Sequence, residues 1–189
     1  MQFVKTETTE TYEIKKSKFI AYLFPYSIFD EKMAQIKKEH PKGRHFVYAY
    51  RHLNGYEQIV ENCSDDGEPK GTSGKPSLAV MAGNEMINSA VIIVRYFGGI
   101  KLGTGGLVRA YSDAVNQVIS EATLYPYEKI YEQIISFQYP FLSQVEYNIN
   151  KLEIRVEEKN FDEDVTFKIA GNKESLDSFN QFLHKENIV

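Results

Sequence analysis

Hydrophobic and polar positions change period along the chain, and the changes mark out elements. Tyr12 to Tyr26 is rich in aromatic and β-branched residues and predicts a strand ending near Pro25. Ser27 with Asp30 three positions on resembles a helix start; Phe29, Met33 and Ile36 follow at helical spacing, and Pro41 closes the segment. His45 to Leu53 alternates and predicts a strand, and the pair Asn54–Gly55 predicts a tight turn returning antiparallel over Tyr56 to Asn62. Ser64 to Lys75 has loop composition, and Pro76 suits the first turn of a short helix over Ser77 to Met81 that Gly83 ends. Ser89 to Phe97 is built on the continuous apolar run Ala90–Val94, the pattern of a strand buried on both faces. After the glycine run Gly98 to Gly106, a helix follows whose buried stripe is Leu107, Tyr111, Ala114 and Val118.

Beyond Pro126 the pattern is β-α-β-β-α. Strands are expected over Tyr127–Tyr139, Leu152–Glu158 and Val165–Ala170, and helices over Pro140–Asn150 and Glu174–Lys185. That order fits a small ferredoxin-like sandwich, so the fold class expected for the whole chain is α+β. Charge and glycine divide the chain at the same place. Residues 1–124 hold 15 basic and 14 acidic side chains, whereas residues 125–189 hold 7 and 12. Eleven of the 12 glycines precede residue 125. Two domains, 1–124 and 125–189, are therefore expected.

With 42% hydrophobic and 25% charged residues the composition is globular, and a net charge of −4 argues against a nonspecific coat on nucleic acid. Apolar runs such as Ala90 to Val94 are far short of the ~20 residues that span a bilayer. Cys63 is the one cysteine, so no internal disulfide is possible and a reducing cytoplasm is the expected location. Zinc-ligand spacing and a nucleophile elbow are both missing from the sequence.

Two segments hold the chemistry. In the stretch Arg95 to Arg109 a buried strand gives way to glycines and then a helix. The backbone N–H groups at such a helix start attract anions. Arg95, Lys101 and Arg109 bracket it with three cations, and Gly98, Gly99, Gly103, Thr104, Gly105 and Gly106 form the loop. The reading is a phosphate pocket for a nucleotide or a nucleic-acid backbone; the alternative is a tight strand-to-helix turn with solvated cations. Neither the P-loop nor the dinucleotide pattern is met: no lysine precedes Thr104, and Val108 stands where the last glycine would be. Tyr96 and Phe97 beside the cations are candidates to stack on unpaired bases, or are core. The second segment places Asp65, Asp66 and Glu68 within four positions, close enough to hold Mg²⁺ or to share a proton for acid–base work, with His45 a candidate neighbour. An ordinary polar turn, with the aspartates bonding their own backbone, explains it too and is the leading reading.

These two segments, Asp65-Asp-Gly-Glu-Pro-Lys-Gly-Thr-Ser-Gly-Lys-Pro76 and Val94-Arg-Tyr-Phe-Gly-Gly-Ile-Lys-Leu-Gly-Thr-Gly-Gly-Leu-Val-Arg-Ala-Tyr-Ser112, closely resemble the IMPACT/YigZ family, as do Lys15-Lys-Ser-Lys-Phe-Ile20 and His45. The chain departs from the family pattern mildly at Ser73, where alanine is common, and at Val47, where a cysteine is frequent. The resemblance implies an N-terminal domain of the ribosomal-protein-S5-domain-2-like fold and a C-terminal domain similar to elongation factor G domain V. It points to a translation-linked regulator whose partner is RNA or the ribosome, with the acidic C-terminal domain meeting a protein. A Mg²⁺-dependent nucleotide-binding enzyme using the Asp65–Glu68 loop is the second expectation. A protein-interaction module without nucleic-acid binding is the third.

Overall fold

The computed structural model describes residues 1–188, which fold as two compact units, Met1–Tyr127 and a second that begins at Glu128. In chain order the first holds β1 (Gln2–Val4), β2 (Thr8–Ile14), β3 (Ser17–Pro25), α1 (Phe29–Glu39), β4 (His45–Leu53), β5 (Ile59–Ser64), α2 (Gly74–Gly83), β6 (Ser89–Tyr96), α3 (Gly103–Glu121) and β7 (Leu124–Pro126). The second holds β8 (Tyr131–Phe137), α4 (Leu142–Lys151), β9 (Arg155–Phe161), β10 (Val165–Gly171) and α5 (Lys173–Lys185).

The first unit is a five-stranded antiparallel sheet in the order β2-β3-β6-β4-β5. Its two faces are both covered. On one, α2 and α3 bury Phe19, Leu23, Val47, Val91 and Ile93 against Met81, Leu107, Tyr111 and Val118. On the other, Ile36 of α1 packs with Tyr22, Phe24, Ile92 and Val94. Central β6 therefore has hydrophobic layers above and below, which is why its sequence runs apolar instead of alternating. The stripe Leu107, Tyr111, Ala114 and Val118 is buried as its spacing predicts.

Several local readings differ. The long strand expected over Tyr12–Tyr26 is a hairpin, β2–β3, because Lys15 and Lys16 both take left-handed φ angles of 46° and 64° and turn the chain in two residues. Asn54–Gly55 does not make a two-residue turn. Residues 54–58 form a longer loop in which the Asn54 side-chain oxygen accepts from the N–H groups of Tyr56 and Gln58, at 2.9 and 3.0 Å. Short β1 and β7 pair with one another and have no periodicity long enough to predict them.

The second unit is a three-stranded antiparallel sheet in the order β8-β10-β9, with α4 and α5 packed on Ile135, Phe137, Phe167 and Ile169. The middle strand being the last in sequence is the ferredoxin-like signature, so the α+β reading holds for both units. No described helix is long and apolar enough to cross a membrane.

Candidate functional site

The acidic loop is built from the inside. Asp65 sits before α2, and its carboxylate accepts from Gly71 N–H (2.7 Å), Ser73 N–H (3.1 Å), Ser73 Oγ (2.7 Å) and Gly74 N–H (2.9 Å). It is the cap of that helix. Burial pushes its pKa up, but these four donors outweigh burial and hold it below the usual aspartate value. Asp66 accepts from Phe46 N–H at 2.6 Å, and its backbone carbonyl lies 2.8 Å from His45 Nδ1. Glu68 is turned the other way, into a buried pair with Arg95. Asp65, Asp66 and Glu68 are thus turned to separate partners and not toward one another. Each carboxylate has a different protein partner, and among the described residues no three His, Cys, Asp or Glu side chains gather as metal ligands.

Replacing Asp65 by Asn is expected to cost about 2 kcal/mol at neutral pH, through lost charge-assisted bonds and a weakened cap. A carboxyl with a lowered folded pKa stabilises fully above its unfolded value of about 3.9 and loses that contribution as pH falls through the folded value. The stability gap between wild type and D65N should therefore narrow on acidification below about pH 4. Denaturant unfolding at pH 7 and in the acid range checks both; a pH-independent gap would remove the cap from this account.

Behind the loop, Arg95 Nη1 lies 2.6 Å from Glu68 Oε1, and Tyr111 donates its hydroxyl to the same oxygen at 2.9 Å. Both charged residues are only 8% exposed. Burial first, then the charge of Glu68 and their hydrogen bond, push the Tyr111 hydroxyl far up, so it stays protonated and donates. Arg95 also lies over the rings of Phe19 and Phe97, at 5.5 and 5.7 Å. Its Nε is buried and has no hydrogen-bond partner. Arg95 is thus not the freely presented cation its sequence position suggests.

The glycine run ends at the N-terminus of α3. No side chain caps this helix and no acidic residue lies in its first turn. Some glycines have a backbone reason: Gly103 has φ +73°, and Gly98 packs against the backbone of Lys16 and Ser17. Gly105 has none. A Cβ built there meets nothing within 4 Å, and glycine inside a helix costs about 0.5–1 kcal/mol relative to alanine. The fold alone does not account for it.

Two clefts of about 390 Å³ each flank this region. One is lined by Lys42, Arg44, His45, Arg95, Tyr96 and Phe97. The other is lined by Glu68, Arg95, Phe97, Lys101, Gly103 and Thr104, with Leu102 and Leu107 at its wall. Lys101 therefore joins the helix start, whereas Arg109 is exposed two turns into α3 and lines neither cleft. Tyr96 is tied down: its hydroxyl lies 2.8 Å from His40 Nδ1, whose Nε2 is 2.6 Å from the Tyr22 hydroxyl. Phe97 is the open ring, 56% exposed.

Lys42 and Arg44 are the residues sequence reasoning missed. They lie about fifty positions before the glycine run and join it because His45 pairs with Arg95 across β4 and β6. Lys15 and Lys16 reach the same end of the sheet, since Lys18 pairs with Tyr96. Among the described residues Lys15, Lys16, Lys42, Arg44 and Lys101 have no ion pair, while the carboxylates nearby are engaged internally. Cys63 is removed from this chemistry; burial and the nearby Asp65 push its thiol pKa up.

The Impact N-terminal domain family matches residues 15–119, which take in the β2–β3 turn, the acidic loop and the glycine run. An IMPACT family member of Haemophilus influenzae is 32% identical over 186 residues, 93% of this chain and 86% of its own length. YigZ of Escherichia coli is 34% identical over 161 residues, 84% of this chain and 79% of its own. A crystal structure described as that of a hypothetical protein superposes with a TM-score of 0.67 at 30% identity, covering 97% of this chain and 91% of that one. Matched over more than half its length, and by relatives of similar extent, the chain belongs to the IMPACT family.

Proposed function

We propose that the first unit binds the phosphate backbone of RNA, free or on a ribosomal surface, in a translation-linked regulatory role. One observation carries this reading: the uncapped, glycine-built N-terminus of α3 opens on a cleft at the end of the sheet where unpaired cations collect. Free N–H groups with a partial positive charge fit phosphate oxygens. Lys101 from the glycine run and Lys42 and Arg44 from the loop before β4 add full charges, and none has a carboxylate to neutralise it. An overall charge of −4 is compatible with this, because the excess of acid lies in residues 125–189. The translational setting is the one that the family resemblance implies. The acidic second unit then suits a protein contact better than a nucleic-acid one.

The test is a salt series of RNA-binding titrations with the full chain, the triple variant Lys42→Ala/Arg44→Ala/Lys101→Ala and Gly105→Ala. Wild-type affinity should fall steeply with salt, and the slope should decrease by about 0.7 for each single-strand phosphate contact removed. Gly105→Ala is expected to keep or slightly raise Tm while weakening binding, since its methyl group meets no protein atom but crowds the helix start. Wild-type protein that neither binds RNA at low salt nor sediments with ribosomes would end this reading.

A further inference from the structure

We infer that Phe97 is a base-stacking platform between two phosphate subsites, so that the ligand is single-stranded RNA crossing from one cleft to the other. This rests on the phosphate-binding reading above and narrows it to a class of ligand.

The ring of Phe97 is more than half exposed just past the end of a strand whose first seven residues, Ser89 to Arg95, are all buried. Burial of its own apolar surface therefore does not explain a phenylalanine here. The neighbouring Tyr96 is held by His40, so of the two aromatics Phe97 is the one with a free face. The ring is also not loose. Arg95, itself fixed on Glu68, places its guanidinium 5.7 Å from the ring centroid. A ring supported from behind and open in front presents a stacking surface at low entropic cost.

What lies on either side defines the partner. Phe97 and Arg95 line both clefts. Lys42 and Arg44 line one of them; Lys101 and the first turn of α3 line the other. The order cation, aromatic, cation matches a nucleic-acid strand, in which phosphates flank each base. A duplex stacks its base faces internally, whereas an unpaired nucleotide can lay its face on an exposed ring.

The experiment is fluorescence anisotropy with a labelled ten-nucleotide RNA, as a single strand and annealed to its complement, against wild type, Phe97→Ala, Phe97→Trp and Lys42→Ala/Arg44→Ala. Phe97 is exposed, so these variants should keep wild-type Tm, which is measured alongside. The single strand should bind about tenfold more tightly than the duplex. Phe97→Ala should lose about tenfold on the single strand alone, and Phe97→Trp should restore it. Equal binding of both RNAs with no effect of Phe97→Ala, while Lys42→Ala/Arg44→Ala weakens both, would overturn this inference and leave the phosphate reading standing. Absence of binding to either RNA at low salt would overturn this inference, and together with a failure to sediment with ribosomes would overturn the phosphate reading as well.

Discussion

Substituting alanine for Arg95 is expected to destabilise the first unit by about 3–5 kcal/mol, the effect of leaving one charge of a buried pair without its partner. Glu68 is 8% exposed, and without Arg95 its carboxylate keeps the Tyr111 hydroxyl as a donor. The pair also has packing value, because the guanidinium lies over Phe19, a fully buried ring of the main core. Replacing both members by uncharged groups, Arg95→Met with Glu68→Gln, should recover much of the loss, since the uncompensated charge disappears with its partner. Urea unfolding of the single and double variants reads this directly. A loss below about 1 kcal/mol for Arg95→Ala would mean that solvent reaches the pair, as in surface ion pairs. The same reasoning keeps Arg95→Ala out of binding experiments, where lost affinity would report lost folding.

Gly98→Ala should be comparably severe, above about 3 kcal/mol, for a steric reason. β3 and β6 are antiparallel, with Lys18 opposite Tyr96, so the chain leaving β6 runs beside the β2–β3 turn. A Cβ at position 98 would lie 2.0 Å from the Lys16 carbonyl carbon and 2.4 Å from the Ser17 nitrogen. Those are backbone atoms of a two-residue turn and have no rotamer through which to yield. Gly98 N–H also donates to Ser17 Oγ at 3.1 Å, and Ser17 is fully buried, so moving the loop away strands a polar group. Thermal unfolding with Gly105→Ala as the contrast isolates the cause. Both changes add one methyl group, and only the one at position 98 meets the protein. A wild-type Tm for Gly98→Ala would show that the loop does not rest on the turn.

Pattern and composition carried the local elements where one physical signal dominated. The stripe Leu107, Tyr111, Ala114, Val118 and the apolar run of β6 are direct prints of burial on one face or on two. The bounds His45–Leu53 followed from alternation and an adjoining turn residue. The misses share a different cause. Lys15 and Lys16 are unusual residues for a turn with left-handed φ angles, so nothing local split β2 from β3; pairing of both strands within the sheet outweighs the turn preference. The bounds of β9 also shifted, to Arg155–Phe161 from the expected Leu152–Glu158, because all its residues but Val156 are exposed and the pattern offers little contrast.

The site divides in the same way. Helix start, glycines, cations and a carboxylate cluster are all written in consecutive residues, since each rests on side-chain type and short spacing. Which of them is presented to a ligand is not written there. Asp65 turns inward to cap α2, Glu68 draws Arg95 out of solvent, His40 holds Tyr96, and Phe97 is left open. Lys42 and Arg44 arrive through the pairing of β4 with β6. Short-range signals report what a residue can do; the partner it does it with is set by strand register and by competition for buried hydrogen bonds, both of which join positions tens of residues apart.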